Sequence, residues 1–178
     1  VLIFDEIQTG LGRTGKMFFS EMVGVTPDII TLAKGIAGGL PAGAVLVNKD
    51  LTKSVQIDDQ GSTFGGGPVI CSAIIATINV IQRGNLIENA AKTGNELKKK
   101  ISTMKHILSV TGEGLLLGII LDIPALQVQK ALLEKGIITG TSSNKKVLRI
   151  IPPITITKKE VALFVKQLKQ VLDRVFYE

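Results

Sequence analysis

The sequence has 178 residues, 45% of them apolar, enough for one packed domain or one and a half. No apolar run reaches the roughly 20 residues that a membrane-spanning helix needs, and Asp5-Glu6, directly after the opening Val1-Leu2-Ile3-Phe4, do not suit a signal peptide. Residues 1–90 carry a net charge of −2 and residues 91–178 one of +8, but no aromatic residues are interleaved with the lysines to stack bases, so the basic half reads as solvated helix faces and not as a nucleic-acid surface.

Val1 to Phe4 is a continuous apolar run and predicts a strand buried on both faces. The chain opens inside that run without a Met, so an N-terminal portion is expected to precede it. Thr9 to Gly15 is a glycine-rich loop, and Met17 to Val23 predicts a short helix. Ile29 to Leu32 predicts a second buried strand that ends at Ala33-Lys34, and Ala44 to Val47 a third. Gln60 to Pro68 is a second glycine-rich loop, after which Pro68 opens a helix running to about Gln82.

Arg83-Gly84-Asn85 breaks that helix, and the expected domain boundary falls there, dividing residues 1–83 from 84–178. Leu86, Ala90, Gly94, Leu97, Ile101 and Met104 recur at helical spacing. Ile107 to Val110 and Leu115 to Leu121 predict strands around a turn at Gly112-Glu113-Gly114. Pro124 to Lys135 predicts a helix stopped by Gly136, and Val147 to Ile151 a strand stopped by Pro152-Pro153. In the last helix Thr157 and Glu160 form a capping box, and Val161, Phe164, Val165, Leu168, Val171, Leu172 and Val175 form one apolar stripe. With 19 Gly and this order of elements the chain reads as α/β. Cys71 is the single cysteine, which fits a reducing compartment and, with no targeting segment in view, the cytoplasm. Cys71 and the lone His106 read as structural.

The chemistry-bearing residues fall in the first half. A buried strand ending in Asp5-Glu6 puts two carboxylates at the sheet edge where α/β proteins bind ligands. Gly10 to Lys16 satisfies the spacing of a nucleotide-binding P-loop. Met17, however, stands where a magnesium-binding hydroxyl is needed, and the loop follows the acidic strand instead of preceding it. Lys34 suits a different chemistry. A lysine at the end of an apolar strand among glycines can be held partly desolvated, as an amine that attacks carbonyls. Asp5 could pair with a protonated pyridine nitrogen, and Gly61-Ser62-Thr63 with Gly65 to Gly67 offers hydroxyl and backbone donors to a phosphate. Together these are the parts of a pyridoxal 5'-phosphate (PLP) site.

The segments DEIQTGLGRTGKMF, TPDIITLAKGIAGGLPAGAVL, GSTFGGGP and LRIIPPITIT together resemble the class III aminotransferases, a subgroup of fold type I PLP enzymes, co-linearly along the whole chain. The resemblance implies the C-terminal part of a PLP-binding large domain followed by a small α+β domain with a mostly antiparallel sheet. Asp5 would then pair with the pyridine nitrogen, with Glu6 beside it in the cofactor site. Ile7 would pack on the ring, Gln8 would bond its hydroxyl, and Lys34 would carry the cofactor and shuttle the proton. Thr63 would bind the phosphate in the other subunit of a homodimer, Ser62 would lie near the substrate, and Arg149 would take a substrate carboxylate. The implied reaction moves an amino group from N-acetylornithine, or a related ω-amino substrate, to 2-oxoglutarate in arginine biosynthesis. Neither nucleic acid, membrane nor metal is implied. Two positions depart from the family: Gly67 stands where Asn is usual and Gln60 where His is frequent. The family's N-terminal half supplies the main phosphate-binding helix, the stacking aromatic and a second substrate arginine. The chain taken alone is therefore expected to be inactive and to hold no PLP, and a non-catalytic fragment is the alternative.

Overall fold

The computed structural model describes residues 1–174; Val175, placed above in the last apolar stripe, lies outside the described residues. The chain forms two compact units that divide after Ile87. The first contains β1 (Ile3–Asp5), α1 (Phe19–Met22), β2 (Ile29–Leu32), a 3-10 turn (Lys34–Ala37), β3 (Ala44–Val47), α2 (Lys49–Thr52) and α3 (Pro68–Arg83). Its sheet has the order β1-β2-β3, with β1 parallel and β3 antiparallel to β2.

The apolar runs become β2 and β3 as predicted, but β1 is not buried on both faces. Ile3 is 57% exposed, and β1 is an edge strand paired only with β2 among the described residues. Pro68 occupies the first turn of α3, where its missing N–H costs no helical bond. Cys71, on the same helix, is exposed and not part of a core. The unpredicted α2 is capped by Asn48, whose side chain accepts the Asp50 N–H at 2.9 Å. The main buried cluster of this unit is small: Leu32, Ile36 and Ala37, flanked by partly buried Leu11, Phe18, Ala73 and Ile74.

The second unit takes most of α4 (Leu86–Ile101), then β4 (Ile107–Glu113), β5 (Leu116–Leu121), α5 (Ala125–Glu134), β6 (Gly140–Thr141), β7 (Val147–Ile150) and α6 (Lys158–Arg174). Its four-stranded sheet, ordered β4-β5-β7-β6, is antiparallel throughout. Leu117, Ile119 and Leu121 on β5, with Leu148 and Ile150 on β7, alternate into a core completed by α4, α5 and α6. The β4–β5 turn comes later than expected. The strand runs through Gly112, whose φ of +97° is open to glycine and where a Cβ would collide with the Leu116 carbonyl. At Gly94, α4 lies so close to the Gly114 carbonyl that no side chain fits between them. The capping box of α6 is present: Glu160 Oε2 accepts the Thr157 N–H at 2.7 Å, and the Thr157 hydroxyl accepts the Glu160 N–H at 3.4 Å.

Candidate functional site

Parallel pairing sets Asp5 opposite Thr31, so β1 and β2 end at the same edge of the sheet. Asp5 is exposed there. Its Oδ1 accepts the Thr31 hydroxyl at 3.2 Å and the Ile7 N–H at 3.0 Å, which leaves Oδ2 without a protein donor among the described residues. Three residues beyond Thr31 the chain reaches Lys34. The Lys34 backbone has φ of +53°, a left-handed conformation that lysine rarely adopts. Such strain persists where the surroundings impose it. Here Ile36 and Ala37, both buried, fix the 3-10 turn that begins at Lys34. The lysine is exposed and not partly desolvated as the sequence suggested, since no covering element lies over this edge in the first unit. Among the described residues it forms neither a hydrogen bond nor an ion pair.

Glu6, grouped with Asp5 as a cofactor contact, is turned the other way. Only 2% exposed, it accepts the Ser20 N–H at 2.8 Å through Oε1 and the Thr9 hydroxyl through Oε2. The alternation of side chains along an extended strand sends residue 6 inward when residue 5 faces out. Ile7 is half-buried and Gln8 exposed, directly after the strand. The Gly10–Lys16 run is a series of turns, and the helix that follows it, α1, has only four residues. That is not the strand–loop–helix of a P-loop. Within this loop, burial lowers the Arg13 guanidinium below its usual range.

Ser62 and Thr63 lie in an exposed loop ahead of α3, and no hydrogen bond links them to Asp5 or Lys34. Arg149 belongs to the second unit, half-buried on β7. Its neighbours Leu148 and Ile150 point into the core, so Arg149 stands on the opposite face. Its register partners there are Gly118 on β5 and Gly140 on β6. A Cβ at 140 would lie 3.6 Å from the Cβ of Arg149, so glycine on both sides leaves the guanidinium in a row bare of other large side chains.

Sequence reasoning missed Thr31, Thr9, Ser20, Gly118 and Gly140. The signal for Thr31 was available, as the one polar residue inside the run Ile29-Ile30-Thr31-Leu32. The glycine pair could be found only from strand register. His106 is structural, with Nδ1 3.1 Å from Asp122. Among the described residues no group of three or more His, Cys, Asp or Glu could hold a metal, and no single helix is long and apolar enough to cross a membrane. An apolar groove of about 470 Å³ in the second unit, lined by Ile138, Ile151, Pro152, Leu163 and Phe164 among others, contains none of the candidate residues.

The family model described as "Aminotransferase class-III" matches residues 1–172. Over 177 residues the chain is 42% identical to an acetylornithine aminotransferase from Methanothermobacter thermautotrophicus, covering 97% of this chain and 45% of that protein. Among solved structures it superposes with TM-score 0.88 on acetylornithine aminotransferase from Elizabethkingia anophelis, at 34% identity over 97% of this chain and 48% of the other. It also superposes with TM-score 0.90 on the ornithine aminotransferase of Toxoplasma gondii, at 31% identity over 98% of this chain and 43% of the other. That structure is described as having partial occupancy of PLP at its active site. The chain thus spans under half the length of these relatives, and the match falls on their C-terminal portion.

Proposed function

Because the chain belongs to the class III aminotransferase family, we propose that it carries the PLP anchor of an aminotransferase that takes the amino group of N-acetylornithine, or a related ω-amino substrate, and passes it to 2-oxoglutarate. The observation that carries this reading is the shared sheet edge of Asp5 and Lys34. The donor set fits the cofactor. Asp5 is held through Oδ1, and its open Oδ2 can accept from a protonated pyridine nitrogen. Lys34 offers an exposed primary amine on a fixed turn. When bound, PLP supplies an electron sink for carbanion character at the substrate carbon.

The remaining work belongs to side chains of this chain. Asp5 keeps the ring nitrogen protonated by pairing with it. Lys34 Nζ, once free, takes a proton from one carbon and returns it to another. Ile7 packs against the ring, and Gln8 donates to its hydroxyl. Ser62 lies near the substrate, and Thr63 donates to the cofactor phosphate of a neighbouring subunit in a homodimer. The Arg149 guanidinium clamps a substrate carboxylate with two parallel hydrogen bonds. In this assignment residues 1–83 finish the cofactor-binding domain and residues 84–178 form the small domain. The reaction would serve arginine biosynthesis in the cytoplasm. Residues 1–178 taken alone would neither hold PLP nor turn over, because an amine, a carboxylate and a loop fix the cofactor too weakly.

The test is turnover of the whole enzyme with Lys34→Ala. Loss of steady-state transamination is expected, and retained wild-type turnover would remove Lys34 from the mechanism. Arg149→Lys should raise KM for 2-oxoglutarate about tenfold, since a point charge cannot copy the planar fork, with a smaller change for the amino donor. Equal effects on both half-reactions would contradict the role given to Arg149.

A further inference from the structure

Glu6 is a buried carboxylate that the reaction proposed above does not use. It is 2% exposed, and both of its oxygens are engaged: Oε1 by the Ser20 N–H at 2.8 Å and Oε2 by the Thr9 hydroxyl. Its main chain is equally committed. The Glu6 N–H donates to the Thr31 carbonyl at 3.0 Å, extending the β1–β2 ladder one residue past Asp5, and its carbonyl accepts the Gly10 N–H at 3.0 Å. A Cβ at Gly10 would lie 2.9 Å from that carbonyl, so the turn closes tightly only because residue 10 is glycine. The buried Thr14 hydroxyl adds a bond to the Thr9 carbonyl at 3.4 Å. Glu6 therefore ties three segments together: the end of the β1–β2 ladder, the Thr9–Gly10 turn and the start of α1. Ile7, between Glu6 and that turn, donates one of the two hydrogen bonds that hold Asp5 Oδ1.

We propose that Glu6 is a positioning residue for the PLP site, fixing the Asp5–Gln8 turn so that Asp5 presents its carboxylate in one orientation. The inference rests on the PLP reading of Asp5 and Lys34. A carboxylate out of water needs its bonds satisfied. Removing its charge or one donor loosens the turn, and with it the Ile7 N–H that holds Asp5. Glu6 touches no ligand in this account and acts only through Asp5.

The experiment is a double-mutant cycle on PLP affinity in the whole enzyme, with Glu6→Gln, Thr9→Val and Asp5→Asn singly and Glu6→Gln and Thr9→Val each combined with Asp5→Asn. Hydrogen exchange of the Ser20 amide is followed in the cofactor-free protein. Glu6→Gln should weaken PLP binding about tenfold, Thr9→Val less, and neither should weaken it further once Asp5 is Asn. Ser20 exchange should speed up in both variants. If Glu6→Gln does not fold, Thr9→Val, which keeps the charge, carries the same cycle. Unchanged affinity, effects that add to Asp5→Asn, or unchanged Ser20 exchange would each overturn the proposal. Lys34→Ala separates it from the reading beneath it. If that variant keeps the visible band of lysine-bound PLP, the cofactor assignment fails, whatever the Glu6 variants do.

Discussion

The second unit gathers sixteen buried apolar side chains into one cluster among the described residues, whereas the main cluster of the first has three. Both are rich in Ile, Leu and Val. The difference lies in what the sheets face. In the second unit one sheet face is covered by helices, and each fully buried Leu or Ile there contributes about 1.5–3 kcal/mol. In the first unit Ile3, Val45 and Leu46 remain exposed on a three-stranded sheet. Yet the first unit holds Asp5 and Lys34, the residues proposed above for the cofactor. Its geometry is set by polar bonds and special backbone: the buried Glu6, the Asp5–Thr31 hydrogen bond and Lys34 at positive φ. Packing organises one unit, and hydrogen bonding holds the proposed cofactor edge in the other.

That contrast is open to direct attack. Leu148→Ala, at a fully buried position between β5 and β6, should cost about 2–5 kcal/mol in denaturant unfolding. A loss under 1 kcal/mol would mean the second core is far looser than it looks. Gly94→Ala should cost about 1–3 kcal/mol by overpacking α4 against the Gly114 carbonyl, and a neutral result would show that helix free to shift. Thr157→Ala should cost about 1 kcal/mol through loss of the cap on α6.

The same cap makes stability in the second unit depend on pH. The Thr157 N–H, and then its hydroxyl, hold the Glu160 carboxyl below its usual range. A carboxyl with a lowered folded-state pKa contributes stability above its unfolded value and loses it as the pH falls through the folded one. Unfolding midpoints of Glu160→Gln should therefore fall less than wild type on acidification through that window. Leu46→Ala should be the smallest change, within about 0.5 kcal/mol, because the side chain is already half in solvent. A larger loss would show that the first unit's sheet face is covered in solution.

Long periodic elements and apolar runs were legible in the sequence. β2, β3, α3 and the capping box of α6 sit where periodicity and cap chemistry put them, since each is decided by residues close in the chain. Burial of β1 was misjudged because an apolar run states what a strand could bury, not what stands beside it. The turn after β4 was placed early because glycine marks both turns and strand positions where another backbone comes close. The proposed site residues Asp5, Lys34, Thr63 and Arg149 were named from motifs, as residue types without a geometry. Their supports were not. Glu6 was read with Asp5 because adjacency hides the inward–outward alternation, and the two glycines flanking Arg149 lie on different strands, 22 residues from each other in sequence.

We propose Lys34 as the residue to which PLP attaches. Borohydride reduction of the PLP-loaded whole enzyme, followed by peptide mass spectrometry, tests it without reference to substrate. A phosphopyridoxyl mass on the peptide containing Lys34, absent in Lys34→Ala, is expected. The same mark on another lysine, or no mark on a protein that has retained PLP, would contradict it.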